Sequence, residues 1–305
     1  MTIPYKSSFL KPSRPGTYYY ITSLSAIHFW ESHPFTLSYS TPPISQVDSE
    51  LSFQPSHGTI SPPRGFSSPT LSPNDSNWKS SSTTLPSVNY ESESLLKSSS
   101  RTLSPSTLTF LIRPYTGFTS RLRKSALNNR CESRVLIDGP YGETQPIHEY
   151  KNVLFIIGGA GIAVPLSYLS ILLSSNSKVE NIKIIWAIRE ESFLNETLSI
   201  DFQNLLPDER FSLEAFITGH EITSDHDSEE IANMGEHVKG VRIHKGRPNV
   251  RQEVVDFAEE LASNSDVAVM ACGPARIADD ARASVVEMLG RGWGKMEYFE
   301  ESFNW

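Results

Sequence analysis

Between Asn152 and Ser177 the chain carries no charged residue, and this stretch constrains the fold more than any other. About 20 apolar residues suffice to cross a bilayer, so a hydropathy window flags the segment. Its internal order argues for a different structure. Val153–Ile157 is a run of β-branched, aliphatic and aromatic residues, which favours a strand. Gly158-Gly159-Ala160-Gly161 then breaks the run, and Pro165 stands where the first turn of a helix tolerates a missing amide. A buried strand, a glycine turn and a buried helix are therefore expected, not a membrane span. The rest of the chain offers no other candidate span, and Met1–Leu10 lacks the apolar run of a signal peptide.

The same rhythm continues downstream. Strands are expected at Val153–Ile157, Ile182–Ile188, Phe211–Thr218 and Val267–Ala271, with helices at Pro165–Leu173, Phe193–Asn204, Val250–Ala262 and Pro274–Leu289. Alternation of this kind implies a parallel sheet wound with helices. His220–Gly240 is polar and reads as a surface loop. Upstream the pattern is all-β. Gly16–Thr22, Pro34–Tyr39, Leu108–Arg113 and Arg134–Ile137 read as strands, the last closed by a turn at Asp138-Gly139-Pro140-Tyr141-Gly142, and Arg121–Asn128 as a short helix. The expected class is thus a two-domain α+β chain. An antiparallel β-barrel domain covers residues 1–148, and a nucleotide-binding α/β domain covers residues 149–305.

Thr41–Ser106 interrupts the first domain. Ser-Pro and Pro-Pro pairs recur there with few aliphatics, so it cannot bury enough surface to offset the entropy of ordering. We read it as a disordered insertion within the domain, because the strand pattern resumes at Leu108. This segment also explains why only 38% of the residues are hydrophobic and 20% charged. The net charge of -8, without a basic stripe, argues against nucleic acid as a partner. The two cysteines, Cys131 and Cys272, cannot form a disulfide framework and suit a reducing compartment.

Four features bear on chemistry. Gly159-x-Gly161 lies between strand and helix, where backbone amides and the helix N-terminus can meet a pyrophosphate. Val164 replaces the third glycine of the usual fingerprint, and a plain tight turn explains the glycines as well. Arg189, after Trp186-Ala187-Ile188, stands where an arginine accommodates a 2′-phosphate, although Glu190 and Glu191 follow and an ordinary solvated side chain is the alternative. Ala271-Cys272-Gly273-Pro274 is a second strand-to-helix turn at the ligand-binding edge; Cys272 has no nearby His or Asp to activate it as a nucleophile. Finally, the last eight residues hold four aromatics, Tyr298, Phe299, Phe303 and Trp305, which must pack either on a flat ring or on the sheet. His220, His226 and His237 lie in the acidic loop without zinc spacing, so no metal site is expected.

These pieces together resemble the ferredoxin-NADP reductase-like module of the ferric-chelate reductase and NADPH oxidase family, nearest its ferric reductase branch. The residues that carry the resemblance are His33-Pro34-Phe35-Thr36, Gly117-Phe118-Thr119, Asp138–Gly142, Gly158-Gly159-Ala160-Gly161-Ile162 with Pro165, Gly246-Arg247-Pro248-Asn249, Cys272-Gly273-Pro274 and the aromatic tail. Their order agrees over nearly the whole chain outside the Ser/Pro insertion.

The resemblance implies FAD and NADPH as cofactors. His33–Thr36 would hold FAD, with His33 near its phosphates or ribityl chain and Thr36 near the reactive flavin nitrogen. Gly117–Thr119 would present amides to the FAD pyrophosphate, and Gly158–Ile162 to that of NADPH. Arg189, with Arg247, would take the 2′-phosphate. Cys272–Pro274 would line the nicotinamide site, and Trp305 or Phe303 would cover the flavin ring. Thr36, Cys272 and Trp305 are thereby set against the reacting rings. The implied reaction is hydride transfer from nicotinamide to flavin followed by single-electron release, with a ferric chelate as terminal acceptor.

In that family a haem-bearing transmembrane domain precedes the flavin domain, which implies a place on the cytosolic face of the plasma membrane. On that comparison, the domain and the first barrel strands are both expected to be missing from this chain. A truncated, catalytically silent nucleotide-binding relative and a soluble diaphorase are the alternative readings.

Overall fold

A computed structural model describes residues 1–5, 13–24, 30–41, 106–128, 134–203, 208–219, 240–261 and 265–301. The chain divides into two units, Met1–Pro42 with Pro105–Trp305, and Pro43–Ser104. The second unit holds nearly all of the Ser/Pro insertion and lies outside the described residues, as do Cys131 and the loop histidines His220, His226 and His237.

The all-β part consists of β1 (Thr2–Tyr5), β2 (Tyr18–Ser23), β3 (Ser32–Thr36), β4 (Tyr39–Thr41), β5 (Ser106–Thr109) and β6 (Val135–Tyr141), with helix α1 (Phe118–Leu127). Its strands form two antiparallel three-stranded sheets, ordered β1-β5-β4 and β3-β2-β6. Both feed one core of Ile3, Tyr19, Ile21, Leu37, Leu108, Phe110 and Phe118. In β2 the alternation is direct: Tyr19 and Ile21 are buried, while Tyr18 and Tyr20 on the other face stay partly exposed. Strand β4 pairs with β5 through Tyr39↔Thr109 and Thr41↔Thr107, so the long Ser/Pro segment connects two neighbouring antiparallel strands.

Several expectations need correction here. A strand does precede Gly16: β1 pairs with β5 from Thr2↔Thr109 to Tyr5↔Ser106. Pro4 obscures it in the sequence, but β1 is an edge strand of its sheet, where a missing amide is tolerated. Asp138-Gly139-Pro140 is not a turn; β6 runs on to Tyr141, with a register shift against Tyr18/Tyr20, and the chain turns at Gly142 (φ 89°). The strand expected over Pro34–Tyr39 is broken by buried Leu37 and Ser38 into β3 and β4. β5 ends at Thr109, short of Arg113, and α1 begins three residues earlier than its charge pattern suggests.

The α/β part carries β7 (Asn152–Gly158), α2 (Ala163–Leu172), β8 (Asn181–Ile188), α3 (Glu191–Ile200), β9 (Phe211–Ile217), β10 (Val241–Lys245), α4 (Val250–Glu259), β11 (Val267–Cys272), α5 (Ala275–Gly290) and β12 (Met296–Glu301). All pairings in its six-stranded sheet are parallel, in the order β10-β9-β8-β7-β11-β12. β10 and β12 are additions to the expected strands. One face buries Phe155, Trp186 and Phe211 with Leu169 of α2 and Leu194 of α3; the other buries Leu154, Ile185 and Val269 with Val254 of α4 and Val285 of α5. β7 is buried along its whole length, as its unbroken apolar run demands. The charge-free segment is therefore strand and helix, and among the described residues no helix is long and apolar enough to cross a membrane.

Candidate nucleotide-binding edge

Strand order reverses between β7 and β11: the chain winds outward through β8, β9 and β10 on one side and through β12 on the other. Open α/β sheets bind ligands at such a switch, beyond the carboxyl ends of the strands. Both glycine turns expected from the sequence sit there. Ile157 pairs with Cys272, so Gly158–Ile162 and Cys272–Pro274 leave adjacent strands side by side.

The two turns touch backbone to backbone. A Cβ on Gly161 would stand 2.8 Å from the Cys272 carbonyl oxygen and 2.9 Å from its Sγ. One on Gly158 would stand 2.6 Å from Cδ of Pro274, and one on Gly273 2.9 Å from Cα of Gly158. Only glycine permits this approach. Gly159 has a different reason to be glycine, its φ of +55°, which disfavours any side chain. Its carbonyl accepts a 2.8 Å hydrogen bond from Nε1 of buried Trp186. No side chain caps the short 3-10 turn at Gly159–Ile162; α2 continues directly from it, with the Ala163 amide bonded back to Ala160, so the turn's leading amides are those placed to meet an anion. Pro165 lies buried in the first turn of α2.

On the β side, the strand and helix motifs expected to hold a second nucleotide converge. His33 stacks on Phe118 with ring centroids 5.1 Å apart, and Phe35 meets the same ring at 6.1 Å. Pro34 pairs with Tyr20, and Thr36 ends β3 opposite Tyr18. Gly117 is the N-cap of α1 with φ 66°, again without a side-chain cap, and Thr119 Oγ1 accepts from the Tyr115 amide at 2.8 Å. Arg113 links the two regions. Its guanidinium lies over the Tyr115 ring, and its Nη1 is 3.9 Å from where a Gly159 Cβ would stand.

The remaining expected residues fall as follows. Exposed Arg189 directly follows β8, and its backbone packs so closely on Gly219 that a Cβ there would lie 2.2 Å from the Arg189 carbonyl. Gly246 donates to Ile217 at 2.9 Å, which brings Arg247 to the same carboxyl edge. Arg247 lines an open depression of about 610 Å³ with Arg251, Arg276 and Glu287, and Asn249 caps α4 by accepting from the Gln252 amide. Phe303 and Trp305 lie outside the described residues. Tyr298 and Phe299, from the same aromatic tail, belong to β12, so for them docking on the sheet is the answer.

Burial raises the Cys272 thiol well above its ordinary range, with Glu301 and Glu300 adding to the shift. An inert, protonated thiol follows, consistent with no nucleophilic role. Glu301, opposite Cys272 in the β11–β12 register, is pushed up to about 7 by burial. Sequence reasoning passed over Glu301, Arg113 and the Trp186 hydrogen bond. Only Arg113 had a signal, a lone cation between an apolar run and Gly117. Among the described residues no cluster could hold a metal ion.

Residues 150–286 match the ferric reductase NAD-binding domain. Over these residues the chain is similar to the NAD-binding domain of ferric reductases. Ferric/cupric reductase transmembrane component 2 of Saccharomyces cerevisiae is 24% identical over 318 aligned residues, covering 96% of this chain and 36% of that protein. Ferric reductase transmembrane component 5 of the same yeast is 29% identical over 218, covering 65% of this chain and 30% of that protein. The chain thus spans about a third of these relatives. In fold it is similar to the CS-b5R domains of human Ncb5or (TM-score 0.51, 14% identity, 98% of this chain and 64% of that one). It is likewise similar to the flavohem-like FAD/NAD-binding domain of a nitric oxide dioxygenase from Vibrio cholerae (TM-score 0.50, 12% identity, 96% and 87%). These likenesses concern the two-domain architecture.

Proposed function

We propose that this chain is the flavin- and nicotinamide-binding portion of a reductase that takes hydride from NADPH onto FAD and passes single electrons onward. The observation that carries the reading is the contact of the two glycine turns at the strand-order switch, with Arg113, four residues before the Gly117 helix start, reaching to Gly159. FAD, when bound, supplies the chemistry of accepting an electron pair and releasing electrons singly. The protein's part is binding, orientation and exclusion of water.

Its residues divide that work. The uncapped amides at Gly117–Thr119 and the cation of Arg113 suit the flavin pyrophosphate, while Gly158, Gly159, Gly161 and Ile162, with Pro165 behind them, suit that of the nicotinamide nucleotide. His33, Pro34 and Phe35 form the wall on which the flavin nucleotide lies, and Thr36 offers a hydroxyl to the flavin ring. Cys272, Gly273 and Pro274 form the floor under the nicotinamide; the raised thiol pKa keeps Cys272 neutral there. Arg189, with Arg247 on the same edge, selects the 2′-phosphate and hence NADPH. By the family resemblance, Trp305 or Phe303 would cover the flavin. Domain limits at 148/149 follow from this division.

The names of the relatives, transmembrane components of ferric and cupric reductases, support a membrane setting and ferric iron as acceptor; the haem-bearing partner, the chelate and the cytosolic face are what the family resemblance adds. A flavin absorbance titration tests the core of the proposal. Stoichiometric FAD binding that bleaches on addition of NADPH is expected; a folded chain that binds no flavin would refute it.

A further inference from the structure

The two nucleotide regions are joined by a short, buried set of hydrogen bonds. Ser167 and Tyr168 lie in α2, the helix that the Gly159–Ile162 turn opens, and both are buried. Ser167 Oγ donates to the Val164 carbonyl at 2.7 Å and accepts from the Gly16 amide at 3.0 Å. Tyr168 Oη accepts from the Gln145 amide at 2.9 Å. It also closes on Gly16, where a Cβ would lie 2.6 Å from that oxygen. Thr144 Oγ1 donates to the Pro15 carbonyl at 2.8 Å, tying the two contacted loops together.

The path then runs directly to the flavin side. Thr17, next to Gly16, accepts the Leu37 amide at 3.0 Å, and Leu37 follows Thr36. Tyr18 pairs with Thr36 in the β2–β3 register. At the other end, Val164 stands three residues from Gly161, which rests on Cys272. Thr36 and Cys272, the residues set against the two reacting rings, are thus connected through Ser167 and Tyr168 by backbone and buried side chains alone. Tyr168 is fixed further by the Phe155 ring, centroid to centroid 6.5 Å, and burial pushes its hydroxyl up to about 12, so it stays neutral.

We propose that Ser167 and Tyr168 are positioning residues that set the separation of the nicotinamide and flavin rings. The inference rests on the reductase reading above. Hydride transfer is steep in donor–acceptor geometry; a misplacement of about 1 Å can cost on the order of a hundredfold in rate. Neither side chain is among the residues assigned above to hold a nucleotide, so their loss should leave nucleotide affinity intact.

The test uses the full chain with Ser167→Ala and Tyr168→Phe. Without cofactors, amide hydrogen exchange should accelerate about tenfold at Gly16 in Ser167→Ala and at Gln145 in Tyr168→Phe, the consequence of losing one hydrogen bond. With FAD bound, stopped-flow reduction by NADPH should slow about tenfold or more, with weakened charge-transfer absorbance and unchanged NADPH dissociation constant. Ser167→Ala removes a single oxygen and carries the test if Tyr168→Phe does not fold. Unchanged exchange would overturn the joint. Faster exchange with unchanged reduction rate and charge-transfer band would overturn the positioning role. A wild-type chain that binds FAD but is not reduced by NADPH would instead overturn the function proposed above, and the exchange measurement would still decide the joint.

Discussion

Gly161→Ala puts one methyl group between the two turns where they touch backbone to backbone. The new carbon would stand 2.8 Å from the Cys272 carbonyl oxygen, 2.9 Å from Sγ and 3.3 Å from the carbonyl carbon. Ordinary carbon contacts lie at about 3.5–4.0 Å, so something must move by roughly half an ångström to an ångström. Cys272 ends β11, held between β7 and β12 by parallel pairing on both sides, and cannot yield cheaply. Overpacking of this kind costs about 1–3 kcal/mol. Loss of glycine freedom in the unfolded chain returns roughly 0.4–1 kcal/mol. A net destabilisation of about 1–2 kcal/mol is expected, read from urea unfolding followed by circular dichroism. Gly290→Ala is the control: nothing lies within 4 Å of its Cβ position at the end of α5, so it should be neutral or mildly stabilising. Cys272→Ala in the Gly161→Ala background relieves the Sγ contact but not the carbonyl one, so most of the penalty should persist. Nicotinamide nucleotide affinity should fall with stability, because the methyl group also parts the two turns. A Gly161→Ala chain as stable as the Gly290→Ala control, with unaltered nucleotide affinity, would refute the reasoning.

Other sites make independent predictions. Arg189→Ala should weaken NADPH binding by about 1.5–3 kcal/mol, the worth of a charge-assisted contact, and leave NADH nearly unaffected; equal losses in paired titrations would exclude its 2′-phosphate role. Glu301 keeps its proton in the folded chain up to about pH 7, whereas the unfolded chain releases it near the ordinary 4.5. Stability should therefore fall as pH rises between those values and level off above, by on the order of 1–3 kcal/mol after solvent screening; Glu301→Gln should flatten that part of the urea-midpoint profile. Lys183→Met should cost about 1–3 kcal/mol, because the carboxylate of Glu214 loses its buried 3.0 Å partner while keeping Arg242 and His244, with Glu253 left nearby; thermal unfolding reads this directly. Asn249→Ala should cost about 1 kcal/mol by uncapping α4, visible in the same assay.

The strands and helices of the α/β part were legible where burial is two-sided. β7, β8 and β11 read as apolar runs because both faces meet helices, and the glycines between β7 and α2 marked a turn whose physical cause is contact with Cys272. The edges were not legible. β10 buries only Val241 and part of Ile243 on one face, while Arg242 and His244 on the other pair with Glu214; beside a polar loop such a strand looks like more loop. β12 has the same difficulty at the opposite edge, where Glu297, Glu300 and Glu301 break the apolar pattern around Met296 and Phe299. Edge strands carry charge for good reason, since it discourages pairing with other chains, and that protection also erases their signature.

The candidate site shows the same division between local and long-range information. Gly117, Gly159 and Gly161 could be found because a backbone requirement selects one residue type, and such a choice is visible in one dimension. Arg113, Trp186, Ser167 and Tyr168 act through partners 46, 27, 151 and 23 positions away, namely Gly159, Gly159, Gly16 and Gln145. Nothing local distinguishes them from ordinary residues of their elements. Ser167 and Tyr168 sit in a helix whose sequence, Ala-Val-Pro-Leu-Ser-Tyr-Leu-Ser-Ile-Leu, needs no polar group for its own stability. A hydroxyl buried there costs free energy unless partners satisfy it; Ser167 donates to Val164 within the helix, and both hydroxyls accept amides of the β part, from Gly16 and Gln145. The informative feature of α2 is thus the polar pair that its apolar surroundings make expensive. The two amide bonds from the β part form only when both parts of the molecule are folded and correctly placed, which is why the proposed positioning role falls to this pair.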